Sequence, residues 1–276
     1  MLLDYTYTMN LHFSEPVEDQ FFSLLCLPRE TSRQRVAAES VHVQPETKIS
    51  YDTDGFGNRM LYGAILQPHN GFLLNVHGLI ETRQSLHEEY EEPDNVGLVR
   101  WLMPSALTVP GPALTELYRL WSSGAPEDPY LRMLHYGNCV QDALRYIPES
   151  TDVQTTAEDA VRLGSGVCQD YAHVLIALLR SAGLPARYVV GLMYGEGASH
   201  AWVEANLGGY WYGIDPTNNL LVDGNYIKFA HGRDYGDCMI SRGIFRNPRA
   251  VQRMEVSVRV TDVTDDPQEP APPEEA

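Results

Sequence analysis

Apolar and polar residues alternate with period two at the start of the chain. YTYTMNLHF (residues 5–13) sends successive side chains to opposite faces, as a half-buried strand does. FFSLLCLP, VAAESVHVQP and MLYGAILQP are further short stretches rich in strand formers, each closed by Pro. DGFGNR (54–59) reads as a turn between two strands, and GFLLNVHGLIETRQS supplies another strand. Short strands at this spacing predict an N-terminal β-sandwich over residues 1–90. HEEYEEPDN (87–95) is acidic, ends in a turn signal and reads as a solvated linker.

Near residue 112 the period changes. PALTELYRLWSSG and DPYLRMLHYGNCVQDALRYI space apolar residues three and four apart, as amphipathic helices do, with Pro112 and the Asp128-Pro129 pair at their starts. A second domain is expected over 95–262. The acidic, Pro-rich end, DVTDDPQEPAPPEEA, reads as a disordered tail over 263–276. The fold class expected is α+β.

Residues 164–219 carry the chemistry. Gly164–Gly166 lead into a helix, with Ser165 as a fair cap. From Tyr171 to Leu179 that helix is apolar on nearly every side, His173 excepted, so it belongs in a domain centre. Gly183 and Pro185 stop it. Cys168 therefore falls in the first turn of a buried helix. There, free backbone N–H groups and the helix dipole favour a thiolate and can stabilise an oxyanion. Asp170 would oppose the thiolate if it faced the sulfur.

ARYVVGLMY (186–194) reads as a strand, and a loop then delivers His200 to the start of a second, HAWVEANL. His200, Trp202 and Glu204 share one face of it. The Gly208-Gly209 turn leads into YWYGID, and a hairpin there brings Asp215 level with His200. A thiol at a helix start, an imidazole and a carboxylate on adjacent strands form a set for nucleophilic catalysis. In that set Cys168 attacks, His200 is the base and Asp215 orients the ring.

Bulk properties narrow the field. The 276 residues are 43% hydrophobic and 21% charged, an ordinary globular composition. A formal charge of −17 disfavours nucleic acid as a partner. No apolar run approaches the roughly 18–20 residues of a membrane span. The first residues lack a basic start and a long apolar stretch, so a cytoplasmic location is expected. Cys26, Cys139, Cys168 and Cys238 show no CxxC spacing, which disfavours disulfides and structural zinc. His135 and Cys139 lie one helical turn apart and read as packing. A metal site built from Cys168, His200 and Asp215 is conceivable but fits a helix-start thiol less well than nucleophilic attack.

These segments resemble the bacterial branch of the transglutaminase-like superfamily. GVCQDYAHVLIALLRSAGLPARYV is similar to its nucleophile motif, SHAWVEA to its histidine motif and GIDPTNN to its aspartate motif. HGRDYGD (231–237) resembles a further element near the active site, and the first eighty or so residues resemble the accompanying β-rich region. The resemblance implies a papain-like core in which a central helix carrying Cys168 packs on an antiparallel sheet carrying His200 and Asp215. It also implies thioester chemistry on an amide in a peptide, a protein or a small molecule. Hydrolysis is the leading expectation; glutamine acyl transfer and a non-catalytic binding module are the alternatives. No cofactor and no metal are expected, since the sequence has no calcium loop. Trp202, Asp234 and Tyr235 are candidate substrate contacts. Trp202, like Trp211, could instead fill the core, and GRDYGD could be a polar loop held by an Arg–carboxylate contact. Glu204 lies either near the site or at the surface. His231 is a rival base without an aspartate pattern, and Gln154 or Trp121 could complete an oxyanion hole. Substrate identity and oligomeric state are not read from the sequence.

Overall fold

The computed structural model describes residues 1–92 and 96–263. The expected tail lies outside the described residues apart from Val263. The first region holds β1 (Leu2–Leu24), β2 (Gln34–Gln44), β3 (Ile49–Thr53), β4 (Arg59–Ile65), β5 (His69–Thr82) and β6 (His87–Tyr90). The helical region follows with α1 (Val99–Leu102), α2 (Pro112–Ser122), α3 (Pro129–Ala143), β7 (Arg145–Tyr146), α4 (Ala157–Leu163), β8 (Ser165–Gly166) and α5 (Cys168–Ser181). Then come β9 (Ala186–Met193), β10 (Gly195–Gly197), β11 (His200–Leu207), β12 (Tyr210–Asp215), β13 (Leu220–Leu221), β14 (Tyr226–Gly232), β15 (Ser241–Arg246) and β16 (Gln252–Asp262).

The fold is α+β, with two curled antiparallel sheets and helices against the second. YTYTMNLHF and FFSLL, expected as separate strands, are one bent strand, β1. Its first half pairs with β5 and β16, and its second half with β4 and β15. The ladder to β5 breaks between His12 and Val17. Pro16 sits in that gap, where its missing N–H costs no ladder bond and the strand can turn. The inward face of β1 places Tyr5, Tyr7 and Met9 in the core.

Two expectations about the boundary are corrected. The segment from residue 87 is not a solvated linker: β6 pairs with β12 in the second sheet, and Glu88 is buried against Lys228 at 2.8 Å. Nor does the 1–90 and 95–262 division follow the hydrogen bonding. β15 and β16 return to β1, and β16 pairs with it from Asp262↔Leu3 to Gln252↔Phe13. The alternating VSVRV of β16 covers an edge of β1 that would otherwise stand open.

The second sheet runs β13–β12–β11–β9–β14. Helix α5 packs on β11 and β9 and is buried from Gln169 to Arg180, as its uniform apolarity predicts. It stops where Gly183 takes φ +75°, a left-handed conformation that suits glycine. Its N-terminus is capped differently from expectation. Ser165 lies in the two-residue β8, paired with β7, and the capping acceptor is Asp170. Asp170 Oδ2 accepts from Val167 N–H at 2.8 Å and from the Thr151 hydroxyl at 2.6 Å. Asp170 thus turns back across the helix start. A Cβ on Gly166 would fall 2.6 Å from the Asp170 side chain, so this close approach requires glycine. Helix α4 was not anticipated, although its Thr156/Asp159 capping box is written in TTAED.

Candidate active site

The hairpin of β11 and β12 pairs Val203 with Ile214, which sets Asp215 across from the start of β11. His200 Nε2 lies 2.7 Å from Asp215 Oδ2. Asp215 has no exposed surface, and its oxygens are fully engaged. Oδ2 also accepts from Tyr226 OH at 2.9 Å and Asn218 Nδ2 at 2.8 Å, while Oδ1 accepts from the backbone N–H of Thr217 and Asn218 at 3.0 and 3.2 Å. Burial alone would raise the Asp215 pKa, but the hydrogen bonds and charge of His200, with Asn218 and Tyr226, hold it below the usual carboxylate range. The carboxylate is therefore fixed and ionised.

Cys168 is the first residue of α5 and lines the same cleft as His200. With Nε2 given to Asp215, the other ring nitrogen, Nδ1, is left to serve the sulfur. Burial pulls the His200 pKa down, but hydrogen bonds to Asp215 and Cys168 and their electrostatic pull outweigh it and raise it to about 10. The imidazolium is thus the resting form at neutral pH. The His200 ring thus meets the Asp215 carboxylate through one nitrogen and lines the cleft that Cys168 also lines. In the first turn of α5 the backbone N–H groups of Cys168 and Gln169 lack intrahelical acceptors, which suits a developing oxyanion.

The cleft has a volume of about 230 Å³. One wall is Val167, Cys168 and Gln169 from the helix start, with Ser199 and His200. Tyr188 and Val190 of β9 form the base, beside Tyr235. The other sheet completes the lining with Tyr7 of β1, Ser241 of β15, and Met254 and Val256 of β16. The loop carrying His200 joins these regions, because β10 pairs with β16 at Gly195↔Val260 and Gly197↔Val258.

Tyr235 lines the cleft as expected. Its backbone N–H donates to His173 Nε2 at 3.1 Å, and burial lowers the His173 pKa to about 4, so the ring is neutral and can accept. Asp234 does not reach the cleft. It is buried, accepting from the N–H of Leu107 at 3.1 Å and of Gly236 at 2.8 Å. Its role is to fix the loop that carries Tyr235. The Arg233–Asp237 pair, at 2.8 Å, supplies the Arg–carboxylate contact. Trp202 also lies outside the cleft, only 1% exposed. It packs with Val189, Val222 and Tyr226 and backs the His200 ring at a centroid distance of 6.5 Å. Alternation put it on the correct face of β11, but that face is closed over by Val222 and Tyr226.

The rival groups are accounted for elsewhere. His231 Nδ1 sits 3.0 Å from the Arg29 guanidinium, and burial with Arg187, Lys228 and Arg29 nearby drives its pKa well down. It has no place beside Cys168. Glu204 is neither near the cleft nor at the surface. It is buried between Arg187 at 2.6 Å and Lys228 at 2.6 Å, and these cations overcome burial to lower its pKa to about 2. Neither Gln154, which is exposed, nor Trp121, which packs against the core, lines the cleft. Among the described residues no group of three or more His, Cys, Asp and Glu is arranged to hold a metal ion.

The transglutaminase-like superfamily profile matches residues 122–216, which hold Cys168, His200 and Asp215. The bacterial transglutaminase-like N-terminal region matches residues 3–81. The chain belongs to the transglutaminase-like superfamily. An uncharacterized protein of Mycobacterium leprae is 29% identical to this transglutaminase-like chain, over 90% of it and 94% of the relative. An uncharacterized protein of Mycobacterium tuberculosis is 28% identical over 92% and 91%. The fold is shared with a Cytophaga hutchinsonii crystal structure described as "a Putative Cysteine Protease", at a TM-score of 0.77 and 24% identity, covering 95% of this chain and 92% of that one.

Sequence reasoning missed the far wall of the cleft. Tyr7, Met254 and Val256 of this transglutaminase-like chain sit in strands whose period-two pattern shows which face is apolar but not which sheet they meet.

Proposed function

We propose that the chain is a cysteine-dependent hydrolase of peptide or amide bonds that works through a thioester. The observation carrying this reading is His200, held at 2.7 Å by a buried Asp215 and turned toward a thiol at a helix N-terminus. In this reading the Cys168 sulfur attacks the amide carbonyl carbon, and the oxyanion forms against the free N–H groups of the first helical turn. The C–N bond breaks as the His200 imidazolium passes its proton to the leaving nitrogen, releasing an amine and leaving the thioester. Neutral His200 then takes a proton from water, hydroxide adds to the thioester carbonyl, and the C–S bond breaks to give the carboxylic acid and Cys168. Asp215 stays ionised and keeps the ring in place throughout.

Supporting the reading, the buried pair holds the ring charged when the leaving group needs a proton. The test is a panel of peptides and small amides incubated with wild type and Cys168→Ala, read by mass spectrometry for acid and amine products. Turnover by wild type that vanishes in Cys168→Ala is the expected result. Equal turnover in both proteins removes the nucleophile. Adding a labelled amine distinguishes the acceptor: release of acid without amine incorporation supports hydrolysis, and incorporation at the expense of acid overturns it in favour of acyl transfer.

A further inference from the structure

The cleft beside Cys168 contains no carboxylate, ammonium or guanidinium, in a chain whose formal charge is −17. Apart from Cys168 and His200, its ionisable lining is tyrosine. Burial pushes the phenols of Tyr7, Tyr188 and Tyr235 up, so all three stay neutral. A charged substrate side chain entering here would lose water and, apart from the reactive Cys168–His200 pair itself, meet no counter-ion. A neutral one would not incur that cost.

One face of β16 contributes to the lining of this cleft. Val260 and Val258 are buried in the core on that face, and Val256 and Met254 continue it into the cleft. Met254 is 51% exposed there. A lone exposed methionine would mean little. The hydrogen-bonding pattern of the same strand adds a second observation. β10 covers the outer edge of β16 only from Val258 to Val260. The chain then leaves that edge at Gly197 and within a few residues reaches Ser199 and His200 in the cleft. From Gln252 to Ser257, β16 pairs with β1 on one side, and among the described residues no strand pairs with the other. All but Val256 of that stretch are exposed. The open edge therefore begins where the chain departs to form the reactive site.

We infer that this edge docks the substrate: an extended peptide adds as a strand along residues 252–257 of β16, in line with β10, and lays a neutral apolar side chain on Met254 and Val256. The inference rests on the cysteine-hydrolase reading and names the substrate class of that same site. Backbone hydrogen bonds to an open strand edge give grip, and alternate side chains give selectivity. In this proposal the apolar side chain lies on the acyl side of the scissile bond, the half that remains attached as thioester while the amine departs. A cleft of about 230 Å³ is below the range of drug-sized ligand pockets and suits one side chain.

The experiment measures covalent capture of Cys168 in the full chain by intact-protein and peptide mass spectrometry. The probes are acetyl-Val-Val-Leu chloromethyl ketone, its Lys and Asp counterparts, a backbone N-methylated leucyl version, and iodoacetamide. In each chloromethyl ketone the sulfur displaces chloride and forms a thioether. The expected result is that the leucyl reagent captures Cys168 at least about tenfold faster than the charged ones and than its N-methylated form. Met254→Glu, at a half-exposed position that tolerates a polar side chain, is expected to abolish the leucyl preference, read as the ratio of leucyl to iodoacetamide rates in the same protein. Equal rates for the three side chains overturn the inference, as does indifference to N-methylation or to Met254→Glu. A faster reaction with a reagent whose electrophile sits at the end of a glutamine-length side chain also overturns it. In all those cases brisk iodoacetamide labelling of Cys168 leaves the hydrolase reading standing. Failure of iodoacetamide to single out Cys168 overturns both.

Discussion

Replacing Asp215 by Asn tests the electrostatic core of the site. Three donors meet at Asp215 Oδ2: His200 Nε2, Tyr226 OH and Asn218 Nδ2. An Asn amide placed there either turns its NH2 toward these donors or gives up the backbone N–H groups of Thr217 and Asn218 at the other oxygen. Raising the His200 pKa from 6.5 to about 10 corresponds to roughly 4–5 kcal/mol of preference for the charged ring. Asp215 and Cys168 share that preference, so the Asp215–His200 coupling is about 2–3 kcal/mol. The sign of its pH dependence follows from the raised value. The stabilisation is complete below the unfolded-state pKa near 6.5 and is lost as pH rises through about 10. A double-mutant cycle of Asp215→Asn and His200→Gln, measured by urea unfolding, isolates the term. Coupling of about 2–3 kcal/mol at pH 6, falling below about 1 kcal/mol near pH 10, is expected. Coupling that is small at pH 6, or that does not change with pH, refutes the charged-pair reasoning.

Iodoacetamide near neutral pH should modify Cys168 before the other cysteines. Cys26 has no exposed surface and a pKa pushed up to about 12, while burial also raises Cys139 and Cys238. Peptide mapping that finds equal rates contradicts this. Lys228→Met should lower stability by about 3–5 kcal/mol in urea unfolding, because Glu204 and Glu88 remain buried with only Arg187 beside them. A loss under about 1 kcal/mol would show the cluster to be dispensable. Gly166→Ala should cost about 1–3 kcal/mol and slow Cys168 alkylation, since its Cβ would push Asp170 off the helix cap. Unchanged melting and alkylation would count against a rigid cap.

The layout of the second half was legible because it is local. Cys168 at a helix start and the His200–Asp215 hairpin each follow from stretches shorter than about twenty residues, where period and turn residues suffice. Trp202 and Asp234 were misassigned for a different reason. Alternation gives the face of a strand but not what covers that face, and here Val222, Tyr226 and Leu107 decide it. Glu88 and Glu204 read as surface or site residues because their counter-ions, Lys228 and Arg187, come from distant segments. The return of β16 to β1 was invisible for the same reason, since its partner lies some 250 residues away.

That return means the cleft is complete only after the strand that finishes its lining has been synthesised. A ribosome that has released everything up to Pro248 has already made the thiol, the imidazole and the carboxylate. It has not yet made the strand that supplies Met254 and Val256 and anchors the loop before His200. Until that strand threads beside the first one, the sulfur faces solvent where its wall belongs, and the strap that holds the histidine loop has nothing to fasten to.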